Sequence, residues 1–133
     1  MKQHICIFIP TISLGGAERV VSILANYLDE QKYKISLVLL YDKIEFPINS
    51  RVNIIIPEFK LKRNVLHLWY VRKYYRETIK RIKPDVIFSF LEFYNEIVML
   101  SLSGINKKIY LFDRNSPSLR EQNILQMFLK YKY

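Results

Sequence analysis

Short apolar runs and longer segments of helical periodicity follow one another along the chain. The apolar runs are rich in β-branched and aromatic residues, as buried strands are, and they cover 4–9, 34–41, 52–56, 85–90 and 107–112. The segments with apolar residues three and four apart, which predict amphipathic helices, cover 17–31, 65–82, 92–102 and 119–130. The apolar face predicted for the second of these helices consists of Leu68, Val71, Tyr75, Ile79 and Ile82. Because most of the strands are apolar throughout, we expect helices on both faces of the sheet. The pattern predicts an α/β fold with an open, doubly wound, mostly parallel sheet.

In a Rossmann-like sheet of this kind, ligands bind at the carboxyl ends of the strands. The first segment to follow a strand there contains a glycine pair, Gly15 and Gly16, directly before a predicted helix. Bare backbone N–H groups at the positive end of a helix favour the close approach of a phosphate, although a tight turn without a ligand also explains the pair. The loop lacks the three glycines of a dinucleotide fingerprint and the Lys-Ser/Thr of a P-loop.

The composition narrows the class of protein. With 133 residues, of which half are hydrophobic, the chain is expected to form one domain with a substantial core. Its single cysteine, Cys6, lies in the first apolar run, so we expect a buried core residue, and this cysteine usage fits a reducing compartment. No run approaches the ~20 apolar residues of a membrane span. His4 and His67 have no other metal ligands near them and no Asp-x-Asp pair occurs, so we predict no metal site.

The positive charge is concentrated in one segment. Residues 60–83 contain nine Lys and Arg residues against Glu77 alone, which gives a net charge of +8 out of +9 for the whole chain. One face of the second predicted helix carries Trp69, Arg72, Lys73, Arg76, Lys80 and Lys83. A solvated helix face and an interface with anionic lipid head groups both fit this pattern, and we predict the membrane interface. We expect no nucleic-acid partner, because the sequence contains no recognisable nucleic-acid-binding motif.

Four segments resemble family-four glycosyltransferases, which are retaining enzymes of the GT-B fold that elongate lipopolysaccharide, capsule and lipid-linked oligosaccharides. Residues 14–20 (LGGAERV) are similar to the opening of that family, and residues 24–28 to its first helix. Residues 83–91 (KPDVIFSFL) resemble its Lys-Pro-Asp-Val strand, and residues 113–117 (DRNSP) its Glu-Arg-Asn-Asp-Pro type of loop. The four segments occur in the family's order and extend over nearly the whole chain.

The resemblance implies that residues 1–133 are the N-terminal, acceptor-side half of a hexosyltransferase, with a nucleotide-sugar donor and a lipid-linked or saccharide acceptor. It places Gly15 and Gly16 near the donor diphosphate, and it implies an acceptor surface that we assign to Ser89, Glu92, Asp113, Arg114 and Asn115. We expect the family's C-terminal donor-binding domain to be absent from this chain, as in a fragment, a truncated gene or a split enzyme. We therefore expect no cofactor, no activity from this chain alone, and a cytoplasmic position at the inner face of the membrane. The catalytic residues stay unassigned, since Arg114 stands where some members carry a histidine.

Other interpretations stay open on the residues alone. Asp42, at the end of the second strand, could take a ribose hydroxyl in a dinucleotide-binding module. The basic segment also fits a non-catalytic subunit that binds nucleic acid or recruits a partner to the membrane. Ser89 could simply be a helix N-cap and Glu92 a first-turn acid, and Arg114 could be a solvated loop residue.

Overall fold

The computed structural model describes residues 2–58 and 66–112. In chain order the elements are β1 (Gln3–Phe8), α1 (Gly16–Tyr27), β2 (Tyr33–Val38), β3 (Asn53–Ile55), α2 (His67–Ile82), β4 (Val86–Phe90), α3 (Glu92–Ser101) and β5 (Lys108–Phe112). The five predicted strands and the first three predicted helices are confirmed, with bounds that differ by a few residues. The helix predicted over 119–130 lies outside the described residues.

The five strands form one sheet in the order β3-β2-β1-β4-β5, and every neighbouring pair is parallel. The order proceeds outward from β1, first to β2 and β3 and then, on the other side, to β4 and β5. The loops that follow β1 and β4 therefore lead away from each other and leave a crevice at the carboxyl edge of the sheet. The prediction of an α/β, Rossmann-like sheet is confirmed.

Helices cover the two faces of the sheet. On one face α1 packs with Val21 against strand residues such as Ile7, and on the other α2 and α3 pack against Cys6 and its neighbours. The rings of Phe8 and Tyr75 join β1 to α2, with centroids 4.4 Å apart. Successive residues of a strand point to opposite faces, so a strand that is covered on both sides is apolar at nearly every position. The prediction that Cys6 is a core residue is confirmed, and burial raises the pKa of its thiol.

Two arginines satisfy carbonyl groups at the C-terminal ends of helices. The guanidinium of Arg51 donates to the Leu28 carbonyl oxygen, at 2.9 Å, at the end of α1. Arg76 of α2 donates to the carbonyl oxygens of Ser101, at 3.2 Å, and Ser103, at 2.9 Å, at the end of α3. The last carbonyl groups of a helix have no partner within the helix, and a cation also suits the negative end of the helix dipole. Both arginines thus have structural roles.

The helix α2 sets the position of the basic segment. It ends at Ile82, because Lys83 adopts a left-handed conformation with φ 47° and Pro84 follows. Since β4 is parallel to the other strands, α2 returns in the opposite direction and begins at the carboxyl edge of the sheet. Its 16 residues span about 24 Å. No helix within residues 2–58 and 66–112 is long and apolar enough to cross a membrane.

Candidate functional site

The loop after β1, which contains the glycine pair, is held to the loop after β2. Ile12 N–H donates to the Lys43 carbonyl oxygen at 2.9 Å, and Glu45 N–H donates to the Ile12 carbonyl oxygen at 2.6 Å. Leu40 N–H donates to the Pro10 carbonyl oxygen, also at 2.9 Å. These bonds continue the parallel pairing of β1 and β2 past the ends of the strands. The glycine pair therefore follows an ordered extension of the sheet at one side of the crevice.

Gly15 is the N-cap of α1, and Gly16 is the first residue of the helix. Gly15 has φ −134° and ψ 171°, which any residue can adopt, so the backbone conformation does not require glycine. A Cβ atom at Gly15 would overlap the carboxylate of Glu18, which lies against this backbone. The Gly15 N–H donates to the Ser13 carbonyl oxygen at 2.8 Å. This amide is already paired, and the expectation that it faces a phosphate does not hold for it.

Two carboxylates lie where we expected an external anion. Glu18 is the third helical residue of α1, where an acidic side chain interacts favourably with the helix N-terminus. The Glu45 carboxylate accepts a hydrogen bond from Leu14 N–H at 3.3 Å and pairs with Lys43 at 3.2 Å. Nothing in the residue pattern indicated that Glu45 reaches this loop. A diphosphate that approaches the glycine pair would have to displace the Glu18 carboxylate, because the two are negatively charged.

The turn after β4 contains a buried polar pair. The Ser89 hydroxyl donates to Asn95 Oδ1 at 2.7 Å, and Asn95 Nδ2 donates to the Phe112 carbonyl oxygen at 3.0 Å. Ser89 is 0% exposed and Asn95 is 4% exposed. The prediction that Ser89 binds the acceptor is therefore wrong, because its hydroxyl is buried and is already paired within the protein. Nor does Ser89 cap α3, whose N-cap is Leu91.

Asn95 also holds a strained backbone at the crevice. Leu91 has φ 81° and ψ 126°, a conformation that costs of order 1–3 kcal/mol for a residue with a bulky side chain. Asn95 N–H donates to the Leu91 carbonyl oxygen at 2.8 Å, and Leu91 N–H donates to the Phe112 carbonyl oxygen at 3.2 Å. Asn95 was not among the predicted site residues. Its signal was an amide side chain at helical spacing from the apolar residues Val98 and Leu102.

The remaining predicted acceptor residues cannot be placed in the same way. Glu92 is the first residue of α3, but its side chain lies outside the described part of the chain. Asp113, Arg114 and Asn115 lie outside the described residues. Asp42 is exposed in the loop after β2. Within the described ranges, no three His, Cys, Asp or Glu side chains come together as potential metal ligands.

Tyrosine side chains cluster on the face of the sheet that α2 and α3 cover. Tyr74 donates its hydroxyl to the Leu39 carbonyl oxygen at 2.8 Å. Tyr75 is fully buried, and neither its hydroxyl nor that of Tyr41 has a partner among the described residues. Burial, and then the nearby Tyr74 and Tyr94, raise the pKa of Tyr75, so its hydroxyl is neutral at physiological pH. Periodicity placed Tyr75 on the apolar face of α2 but did not predict this cluster of hydroxyl groups.

The predicted cationic face of α2 is only partly available to a partner. Five of its six members are exposed: Trp69, Arg72, Lys73, Lys80 and Lys83. Lys73 Nζ lies 5.3 Å from the centre of the Trp69 ring, within the range of a cation–π contact. Arg76 is partly buried and donates to two carbonyl groups of the neighbouring helix end. These hydrogen bonds argue against a membrane-facing role for Arg76, and membrane contact by the other five stays a prediction.

Comparison with known proteins identifies the family. The family model of Glycosyltransferase Family 4 matches residues 14–112 of this chain. The chain belongs to this family. The match begins one residue before the glycine pair and ends with β5, so it includes the glycine pair and the turn after β4 but not β1. The comparison with curated proteins finds no match.

Two solved structures have the same fold at low sequence identity. A ugt transferase from Siraitia grosvenorii, in complex with UDP, aligns with a TM-score of 0.54 and 11% identity, over 86% of this chain and 24% of that one. A putative UDP-N-acetylglucosamine 2-epimerase from Listeria monocytogenes aligns with a TM-score of 0.59 and 13% identity, over 97% of this chain and 37% of that one. The family member described here thus has the fold of a GT-B N-terminal domain and spans 24% and 37% of these two chains.

Proposed function

We propose that this family member is the N-terminal, acceptor-side half of an enzyme that transfers a hexosyl unit from a nucleotide-sugar to a lipid-linked or saccharide acceptor in surface glycan synthesis. Family membership supports a transferase. The observation that carries the proposal is the crevice between β1 and β4, with a glycine loop and a helix N-terminus at its edge. The UDP in the Siraitia grosvenorii structure supports a UDP-sugar as the donor.

The glycine pair would contribute a bare backbone that lets the donor diphosphate approach. Because the Gly15 amide is paired with Ser13, this residue would act through its missing side chain rather than through its N–H group. The Glu18 carboxylate would have to leave the Gly15 backbone as the diphosphate arrives. Stabilisation of a leaving diphosphate requires several preorganised positive groups, and we propose that these come mostly from a C-terminal domain in cis or in trans.

The acceptor would lie along the same edge of the sheet, toward α3 and the end of β5. With Ser89 excluded, Glu92, Asp113, Arg114 and Asn115 remain the proposed acceptor contacts. Asn95 would position this surface from beneath, because it holds both the turn before Glu92 and the end of β5. The enzyme would work at the inner face of the membrane, and this chain alone would have no transferase activity.

Titration of the 15N-labelled chain with UDP tests the donor half of the proposal. The chain contains only three glycines, and Gly104 lies in the turn before β5, at the opposite edge of the sheet. We expect UDP to shift the amide resonances of Gly15 and Gly16 and to leave Gly104 unchanged, while NADH has no such effect. A response to NADH alone would favour a dinucleotide-binding module, and a uniform shift of all three glycines would exclude a site at this loop.

Substitution of Gly15 provides the matched variant. Gly15→Ala is compatible with the backbone and requires only a shift of the flexible Glu18 side chain, so we expect unfolding free energy to change by less than about 1 kcal/mol. The added Cβ would occupy the approach path of the diphosphate. We therefore expect the apparent affinity for UDP, determined from the amide shifts, to decrease at least tenfold. Unchanged UDP binding by a folded Gly15→Ala protein would contradict the role of the bare backbone.

A further inference from the structure

The beginning of α2 exposes a group of large apolar side chains. Leu66, Leu68, Trp69 and Tyr70 are 53%, 44%, 53% and 38% exposed. The amphipathic pattern placed Leu68 on the buried face of the helix, but burial begins only at Val71. An exposed apolar group of this kind on an otherwise charged surface indicates a contact surface. We call these four residues the apolar tip of α2.

Cationic side chains adjoin the apolar tip. Arg72 and Lys73 are exposed one turn further along the helix, and Lys73 Nζ lies 5.3 Å from the Trp69 ring centre. The first turn of α2 contains no acidic residue. The Trp69 and Tyr70 rings lie edge to face, with centroids 5.0 Å apart. Tryptophan and tyrosine beside lysine and arginine are the side chains that favour the boundary between lipid head groups and acyl chains.

The tip is located at the functional edge of the sheet. Because α2 is antiparallel to the strands, its first turn lies at their carboxyl edge, where the crevice also lies. Lys83, at the other end of the helix, is about 21 Å away along the helix axis. A surface that binds through the tip would therefore meet the crevice edge first, whereas binding through the whole cationic face would lay the helix flat against it.

We propose that the apolar tip of α2 inserts into the head-group region of an anionic bilayer, with Arg72 and Lys73 beside the lipid phosphates. The charge of the chain, +9 overall, is complementary to such a surface. Docking by the tip brings the crevice to the membrane, which specifies a lipid-borne acceptor; this second step rests on the proposed function. The insertion itself does not depend on sugar transfer.

Trp69 is the only tryptophan in the chain, so its fluorescence reports on this site without any substitution. We expect a blue shift of the emission when the full chain meets vesicles of phosphatidylcholine and phosphatidylglycerol (7:3), and quenching when the acyl chains are brominated near the head groups. Phosphatidylcholine vesicles alone are expected to give a weaker response, and rising salt should reduce binding to the mixed vesicles. Vesicle binding without a change at Trp69 would overturn the proposal.

Paired variants distinguish insertion of the tip from nonspecific adsorption to vesicles. We expect Leu68→Ser with Trp69→Ser to lower vesicle affinity at least tenfold in flotation, because two exposed apolar side chains no longer enter the lipid. Tyr27→Ser is the control, since Tyr27 is 81% exposed on α1. Arg72→Gln and Lys73→Gln should each lower affinity roughly fivefold, equivalent to ~1 kcal/mol, whereas Lys32→Gln, in the exposed turn before β2, should not.

Three further outcomes would overturn the inference. The first is a Leu68→Ser, Trp69→Ser protein that floats with the vesicles as well as the unaltered chain does. The second is an absence of vesicle binding, and the third is a Trp69 response to single-stranded RNA but not to lipid, which would assign the surface to nucleic acid. Retained insertion in a protein that fails the UDP titration would contradict the proposed donor site and leave the docking surface standing.

Discussion

Ser89 forms a buried pair with Asn95, and one substitution distinguishes a structural role of Ser89 from a role in acceptor binding. Ser89→Ala removes the hydroxyl that donates to Asn95 Oδ1 at 2.7 Å. The surrounding side chains exclude water, because Ser89 and Asn95 are 0% and 4% exposed. An unsatisfied buried acceptor costs about 1–3 kcal/mol. Against the 5–15 kcal/mol by which a domain is typically stable, we expect a clear loss of stability.

A double-mutant cycle gives the magnitude of the coupling. Asn95→Leu keeps the side-chain volume, but it leaves the Ser89 hydroxyl without its acceptor and removes one donor from the Phe112 carbonyl oxygen, which Leu91 N–H still bonds. When both partners are replaced, no polar atom of the pair is left unsatisfied, so the double variant should cost less than the sum of the single variants. We expect a coupling of at least about 1 kcal/mol, which is typical of residues in direct contact.

Urea unfolding at constant pH is the assay, with the m-value as a check that each variant keeps the same unfolding transition. Thermal midpoints should fall by roughly 3–6 °C per kcal/mol for a chain of this size. Additive single effects would refute the direct hydrogen bond. Full stability of Ser89→Ala, combined with weaker binding of an acceptor, would show that the hydroxyl faces the crevice and would restore the original prediction.

Two further substitutions test roles that the structure assigns elsewhere. Arg76→Gln should lower the unfolding free energy by about 1–2 kcal/mol, because two carbonyl groups at the end of α3 lose a charged donor. The same substitution should leave vesicle binding unchanged. The control, Lys80→Gln on the same helix, should change the unfolding free energy by less than ~0.5 kcal/mol. The reverse ranking in stability would contradict the role of Arg76. Burial, then the nearby Lys34, lower the pKa of His4, so the unfolded chain takes up a proton before the folded chain does, and stability should fall as pH decreases through about 6.5. His4→Gln should flatten this dependence between pH 7.5 and 5.5 in urea midpoints, and an identical slope in both proteins would exclude His4 as its source.

Periodicity and apolar content were sufficient to predict the sheet, because burial on both faces requires strands that are apolar throughout. The same property concealed the burial of Ser89. A strand that is covered on both sides has no alternation of buried and exposed residues, so the sequence does not indicate whether its one polar residue is buried. Arg76 and Leu68 were misplaced for a related reason. The exposure of Arg76 depends on where α3 ends beside α2, and that of Leu68 depends on how far α2 extends beyond the sheet. The spacing of residues along one helix indicates neither.

The glycine loop presents a different limit of sequence reasoning. The glycine pair and the helix start were visible, and they predicted open amides. Glu18 lies within the motif itself, but whether its carboxylate turns outward or lies against Gly15 depends on its rotamer. Glu45 is 31 residues away from Leu14 and reaches it only because β1 and β2 are neighbours in the folded sheet. Contacts of this kind are set by strand order, which the sequence pattern did not specify.

The bridge between Ile12 and Ile44 joins the loops after β1 and β2 into a two-stranded ribbon that extends past the sheet. We expect the two segments of such a ribbon to move together, because displacement of one segment breaks the hydrogen bonds that it shares with the other. Motion at the glycine pair would therefore also displace Lys43 and Glu45, which lie on the surface beside Asp42. If the proposed function holds, variation in those surface residues will alter nucleotide release without direct contact to the nucleotide.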